Sequence, residues 1–407
     1  MTIALILPLE SHIDGYPYNC GNLLICDATI RLFRRSGFIG AIEEFSYLKR
    51  PSEKELERIN NCDAAIFAGT NIFQDRYPGW RWTIDDLQEV KIPYWLFGVS
   101  YSGALEASGN PAISREIHDL LVWAKGAEGI GVRDPRSMAW LASHKAGSEL
   151  IGCPVLAYPE DFSGFMLGEG KPVLAVSKIL LHVAGKEASK AQGLLVDRFF
   201  EKYPDGIGIA QSTPDLPLLE GRQTVKAIQE IVQCLSQACF VVSARLHSGM
   251  FALANGRPAI IISHDSRAAS FCDMLSLPVR RLTAEGVIDA LNTVRAIERG
   301  DFAEFDSATR LILLYRKKME SYVGGILSST SRPKVKANGF WRIGTPNAGR
   351  QNRAKCRGIG NKLILQACRI QYRISGNVVL VRYTSELKRL WKDIKTRIRK
   401  LFGRSDY

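Results

Sequence analysis

The chain has 407 residues, 46% hydrophobic and 23% charged, with 35 Gly and 17 Pro, a balance that excludes wholesale disorder and collagen-like repeats. The length suits two or three domains, and no apolar run approaches the roughly 18 residues that a membrane-spanning helix needs. The net charge of +13 is lopsided: residues 331–407 carry 20 Lys and Arg against 3 Asp and Glu, while residues 1–330 carry 34 against 38, so the mildly acidic body argues against nucleic acid as a partner.

The chain opens on Met1-Thr2-Ile3-Ala4-Leu5-Ile6-Leu7-Pro8, without a basic segment or a small-residue cleavage site. It reads as a buried first strand, and the expected location is the cytosol. Further short apolar runs follow at 64–68, 94–99, 128–132, 153–157, 173–176, 207–210, 239–243 and 259–263. Amphipathic helical stretches lie between many of them, at 22–35, 53–60, 113–124, 136–145, 187–202 and 224–238. Strands alternating with helices predict parallel sheets covered on both faces. A break rich in Gly, Pro and acids at 158–171 divides the nine strands five and four. The expected fold class is therefore α/β, with two Rossmann-like domains at 1–160 and 170–325 facing a cleft. The nine cysteines form no CxxC pair, and no histidine has metal-site spacing, so reduced thiols and no metal are expected.

Residues 327–407 form a basic linker followed by an amphipathic helix. At 384–402, Leu387, Leu390, Trp391, Ile394, Ile398, Leu401 and Phe402 recur at helical spacing, with Lys388, Lys392, Lys395, Arg399 and Lys400 mainly elsewhere around the helix. That pattern suits an anionic membrane surface. It equally suits docking on the protein's own body or on a partner.

The most informative stretch is 239–278. A strand ends at Ser243-Ala244, Arg245 and His247 follow at the turn into a helix, and Gly256-Arg257-Pro258 closes that helix and opens the next strand. The carboxyl end of a strand beside a helix amino terminus is where α/β sheets bind anions. Arginine adds a planar fork matched to phosphate or carboxylate. Histidine adds a proton donor near neutral pH. The alternative is an arginine that holds a loop and a histidine packed at a domain seam. Arg133 ends a strand of the first domain and can face the cleft opposite Arg245. Asp134, followed by Pro135, reads as a helix N-cap. Tyr16, Tyr18, Trp80 and Trp82 are candidates for stacking on sugar rings, with core packing as the alternative.

This stretch resembles the polysaccharide pyruvyl transferase family, through Ser243, Arg245-Leu246-His247, Gly256-Arg257-Pro258 and Ser263-His264-Asp265. Four further matches occur in order: Asn19-Cys20-Gly21-Asn22, Cys62 to Thr70, Gly131-Val132-Arg133-Asp134-Pro135-Arg136-Ser137 and Ile151-Gly152-Cys153-Pro154-Val155. Asn22 stands where the family usually has Asp, and Ala68-Gly69-Thr70 replaces a fuller glycine run.

The resemblance implies a GT-B-like fold and transfer of a pyruvyl group from phosphoenolpyruvate to two hydroxyls of a bacterial polysaccharide or its lipid-linked precursor, closing a pyruvate ketal. No cofactor or metal is implied beyond phosphoenolpyruvate as donor substrate. It assigns His247 as general acid or phosphate partner, with Arg245 and Arg133 as anion clamps. Ser243, His264 and Asp265 are expected around the same pocket. Asn19 and Gly21 are expected on the acceptor side, and Gly69 and Thr70 at a strand end facing the cleft. A lipid-linked saccharide acceptor and a peripheral place at the inner face of the membrane follow from the same picture. Two other readings share parts of it: a GT-B-like glycosyltransferase using a nucleotide sugar, and a non-catalytic binding or scaffolding protein acting through its basic tail.

Overall fold

The computed structural model falls into two units, residues 1–334 and 335–407. It describes residues 1–330 except 10–11, 14–15, 18, 75–80, 103–112 and 178–180; the side chains of 12–13, 16–17, 70 and 181–185 are also not described. The helix expected over 384–402 lies outside the described residues, as do Tyr18 and Trp80.

The N-terminal half is a six-stranded parallel sheet. β1 (Thr2–Leu7) leads through a short antiparallel pair, β2 (His12–Ile13) and β3 (Tyr16–Pro17), into α1 (Cys20–Arg35). Then follow β4 (Ala41–Ser46), α2 (Glu53–Asn60), β5 (Ala64–Gln74), α3 (Ile84–Gln88), β6 (Tyr94–Ser102), α4 (Arg115–Ala124), β7 (Gly129–Val132), α5 (Pro135–Ser143) and β8 (Glu149–Leu150). The spatial order is β4-β1-β5-β6-β7-β8. The inner strands β1 and β6 are buried along nearly their whole length, as strands covered on both faces must be.

The C-terminal half repeats the plan. β9 (Val173–Val176), α6 (Leu181–Lys202), β10 (Ile207–Ala210), β11 (Thr224–Val225), α7 (Ile228–Gln237), β12 (Val241–Ser243), α8 (Leu246–Ala254), β13 (Ala259–Ser263), α9 (Ser266–Met274), β14 (Arg280–Arg281) and α10 (Ala284–Glu298) follow in sequence. The spatial order β11-β10-β9-β12-β13-β14 is the Rossmann order, reversing between β9 and β12. Two parallel Rossmann-like sheets in one chain make the fold GT-B-like α/β.

A final helix, α11 (Asp306–Thr330), returns from the second half to the first. Tyr322 donates to the Leu96 carbonyl at 3.3 Å, and Lys318 to the Leu150 carbonyl at 3.4 Å. Tyr322 packs over Gly129 and Gly131, where any side chain would meet its ring. Arg35 and Arg316 converge on the carbonyls that link the halves: Arg35 donates to Ala157 and Pro159 at 3.0 Å each, and Arg316 to Pro159 at 2.5 Å. One hydrophobic core is continuous from the α1 side of the first sheet into the second sheet, while the other face of the first sheet has its own.

Four local expectations change. Residues 153–157 are not a strand: Pro154–Ala157 form a 3-10 turn, because Pro154 cannot donate to a ladder. β4 appears as an edge strand, where the sequence AIEEFS showed no apolar run. β5 runs on to Gln74, so Gly69 and Thr70 lie inside it and not at its end, with a register shift between Thr70 and Phe73. Trp82 is buried, donates to the Ser46 carbonyl at 3.1 Å and packs edge-on against Phe67, so it is a core residue.

Candidate functional site

Two carboxyl-terminal strand ends in the second sheet are built alike. Ser243 Oγ donates to the Arg245 carbonyl at 2.6 Å, and Ser263 Oγ donates to the Asp265 carbonyl at 2.8 Å. Each serine fixes a tight turn in which the residue two positions on becomes the N-cap of a helix, α8 or α9. The Ser243 hydroxyl is therefore engaged within its own turn, and it also accepts from the Arg245 amide at 3.2 Å. Asp265 caps α9 by accepting from the Arg267 and Ala268 amides. Arg245 caps α8 with no side-chain bond, so its own side chain leaves the first-turn amides of α8 uncapped.

In the first half, Asn19 caps α1 by accepting from the Gly21 amide at 3.1 Å. The Cys20 amide donates across to the Gln211 carbonyl, also at 3.1 Å. Gly21 lies against His247: a Cβ there would stand 2.5 Å from Nδ1 of the imidazole. The amino ends of α1 and α8 thus meet at His247.

Arg133 follows β7 and is buried. Its Nη2 donates to Asn71 Oδ1, which also accepts from Ser100 Oγ at 2.7 Å. Asp134 stands 3.8 Å from Arg133 Nε and caps α5 through the Ser137 amide at 2.9 Å, with Pro135 at the first helical position as the sequence predicts. Arg245 is buried too. Its Nε donates to the Val176 carbonyl at 3.2 Å, and its Nη2 to Ser212 Oγ at 2.8 Å and to Asp215 Oδ2 at 2.6 Å. These bonds join the ends of β9 and β12, the point where the strand order reverses. Arg267 pairs with Asp265 through Nε at 2.9 Å and through Nη2.

His247 keeps part of its surface exposed, but its Nε2 is buried and has no hydrogen-bond partner among the described residues. Burial, then the guanidinium groups of Arg133, Arg267 and Arg245, hold its pKa well below the usual imidazole value; Asp265 opposes them weakly. The free site therefore holds a neutral ring. Burial raises the Asp265 carboxyl, but Arg267 and His264 outweigh it and keep this group ionised far below the usual carboxylate range. The His264 side chain is buried, with Nε2 3.5 Å from Asp265 Oδ2. Cys153 is buried near Arg133, and burial raises its thiol pKa against the pull of that cation.

The structure thus gathers His247, Arg245, Arg133, His264, Asp265, Asn19 and Gly21 where the two sheets meet. Gly69 is placed differently: its φ is +57°, and a Cβ would lie 2.2 Å from Ile25 Cγ2, so it lets α1 pack close on β5. The Thr70 side chain lies outside the described residues. Sequence reasoning missed Arg267 and Asn71. Arg267 carried a signal, a basic residue in the first turn of a helix that starts at a strand end. Asn71 carried none, since its partner is 62 residues away. Among the described residues no cluster of His, Cys, Asp or Glu is placed to hold a metal ion, and no helix is long and apolar enough to cross a membrane.

Each arginine has its own carboxylate within 4 Å: Asp134, Asp215 and Asp265. Two of these carboxylates are turned to helix amides. The amino ends of α1 and α8 add positive potential at His247. The arrangement suits a small, highly charged anion beside a proton-carrying ring.

The family model for polysaccharide pyruvyl transferase matches residues 19–266, a span that holds every one of these groups except Arg267. No curated protein matches the chain. Among solved structures, S. aureus MnaA with UDP aligns with a TM-score of 0.49 at 7% identity, covering 81% of this chain and 96% of that one. UDP-GlcNAc 2-epimerase from Neisseria meningitidis, bound to UDP-GlcNAc, aligns at 0.47 and 10%, covering 81% and 100%. The spinosyn rhamnosyltransferase SpnG aligns at 0.40 and 10%, covering 81% and 99%.

Proposed function

The chain belongs to the polysaccharide pyruvyl transferase family, and we propose that it uses phosphoenolpyruvate to close a pyruvate ketal on two hydroxyls of a saccharide. The observation that supports this reading best is the buried Nε2 of His247, unpartnered among the described residues, with Arg133, Arg245 and Arg267 around the ring. Phosphoenolpyruvate brings a phosphate and a carboxylate, so arginines and helix amino ends are what its site requires. Its negative charge offsets the cations that depress the His247 pKa, and the ring gains its proton as the donor binds.

The chemistry then needs one proton donor and electrostatic support for charge that builds at carbon. The His247 imidazolium gives its proton to the methylene carbon, and the adjacent carbon becomes cation-like. A sugar hydroxyl adds there and loses its proton, which returns to His247. The bond from that carbon to the phosphate oxygen then breaks, with the arginines holding the departing phosphate. A second hydroxyl adds and its proton leaves with phosphate. The sum is one phosphoenolpyruvate and one diol giving one ketal and one phosphate. Asn19, the α1 amino end and the first half of the cleft are left for the saccharide. A lipid-linked acceptor, with the basic tail at the membrane surface, fits the charge pattern of residues 331–407.

The test is phosphate release from phosphoenolpyruvate by the full chain, offered a panel of soluble and lipid-linked glycans. Acceptor-dependent release that His247→Ala abolishes, in a protein that still folds, supports the reading. Failure to bind phosphoenolpyruvate, with binding of a nucleotide sugar instead, moves the chain to the glycosyltransferase alternative.

A further inference from the structure

Ser270 lies on α9, in the C-terminal half, and is 7% exposed. Its hydroxyl reaches into the N-terminal half. It donates to Asp134 Oδ1 at 3.1 Å and accepts from the Arg136 amide at 3.3 Å. Asp134 and Arg136 flank Pro135 at the start of α5. Pro135 has no amide proton, so Arg136 and Ser137 present the first two donors of that helix. The Asp134 carboxylate takes the Ser137 amide, and Ser270 takes the Arg136 amide. The cap of α5 is thus shared between the two halves.

The consequence for the site is direct. Arg133 immediately precedes Asp134, and Arg267 lies one turn before Ser270 on α9. Both guanidinium groups act on His247. One hydroxyl therefore fixes the arginine brought by the first half against the arginine brought by the second. On the other side of the site, the bond from the Cys20 amide to the Gln211 carbonyl also joins the halves, but it uses main chain only. The Cys20 thiol adds a long contact to the Lys226 carbonyl at 3.8 Å. Ser270 offers a polar side-chain link beside the arginines that a single substitution removes.

We propose that Ser270 is a positioning residue: its bonds to Asp134 and Arg136 set the spacing of Arg133 and Arg267, and so the affinity of the site for a phosphate-bearing anion. This rests on the reading of the arginine cluster as the anion site, and on no later step of the ketal chemistry.

The experiment uses the full chain with orthophosphate and phosphoenolpyruvate as probes, measured by calorimetry on the wild type, Ser270→Ala and Ser270→Thr. Loss of the two bonds is expected to weaken binding of both anions on the order of tenfold. Ser270→Thr, which keeps the hydroxyl, is expected to retain most of the affinity. Amide exchange over residues 136–141 is expected to rise in Ser270→Ala, and the KM for phosphoenolpyruvate to rise with little change in kcat. A merely structural serine would lower the active fraction and leave KM alone. Ser270→Ala binding orthophosphate as tightly as the wild type overturns the proposal, as does a wild type that binds no orthophosphate. If Ser270→Ala loses orthophosphate affinity while no glycan supports turnover even in the wild type, the positioning role stands and the pyruvyl transfer reading falls.

Discussion

Gly21 and His247 occupy one another's space: a single methyl group on Gly21 would stand 2.5 Å from Nδ1 and 3.1 Å from Cγ of the imidazole. The loop ahead of α1 and the Arg-Leu-His turn ahead of α8 are therefore parts of one site, although they are more than 200 residues apart. Gly21→Ala must move the ring or the helix. The expected result is a loss of kcat of at least about a hundredfold, since small misplacements of a reacting group carry that penalty. The accompanying stability cost should be about 1–3 kcal/mol, typical of overpacking. Steady-state kinetics beside thermal unfolding checks both; wild-type turnover would remove His247 from the reaction.

The depressed pKa of His247 has a definite sign for stability. An unfolded histidine titrates near 6.5, and the folded one lower. Above 6.5 both states are neutral and the contribution is complete. As pH falls from 6.5 towards the folded pKa, the unfolded chain takes up a proton that the folded chain does not, and stability falls. His247→Gln should flatten that part of the stability profile, measured by denaturant unfolding between pH 7 and pH 5. The same linkage predicts proton uptake when phosphoenolpyruvate binds, seen as a binding heat that changes with the ionisation enthalpy of the buffer. Buffer-independent heats would contradict it.

Arg245 and Asp215 are a buried pair, with side chains 8% and 0% exposed. Removing Asp215 alone leaves a guanidinium uncompensated in the interior. Asp215→Ala is expected to cost about 3–5 kcal/mol, far more than the loss of one exposed ion pair. Arg245→Lys keeps the charge but loses the fork that spans Val176, Ser212 and Asp215, so anion affinity and stability should both drop. Chemical denaturation and calorimetric titration with phosphoenolpyruvate separate the two effects.

Gly69 distinguishes packing from ligand contact. Its positive φ and its contact with Ile25 predict that Gly69→Ala destabilises by about 1–3 kcal/mol while the kcat of the folded fraction is unchanged. Ile25→Ala in the same chain should recover part of that loss. A fall in kcat at full stability would instead place Gly69 against a substrate.

Much of this was legible in the sequence because parallel strands buried on both faces read as short apolar runs, as at 2–7, 173–176 and 259–263. The same rule failed where burial and strand structure part company. Cys153 to Ala157 is fully buried, but its proline turns the chain into a 3-10 helix. β4 is a true strand, but it lies at a sheet edge and carries Glu43 and Glu44. In the site, His247, Arg133 and Asp265 were readable because each follows a strand end, which topology makes a ligand position. Asn71 and Ser270 were not, because their roles exist only through partners 62 and 136 residues away.

The proposed reaction moves a pyruvyl group to the saccharide, and the site keeps no part of it. Phosphoenolpyruvate labelled at its second carbon, incubated with the full chain and an acceptor saccharide, tests it directly by carbon NMR of the recovered saccharide. The expected result is the label in a quaternary ketal carbon bonded to two sugar oxygens, one phosphate released for each ketal, and neither product with His247→Ala. Label that stays in phosphoenolpyruvate with every acceptor, or that reaches the saccharide as an enol ether with its methylene intact, would contradict it.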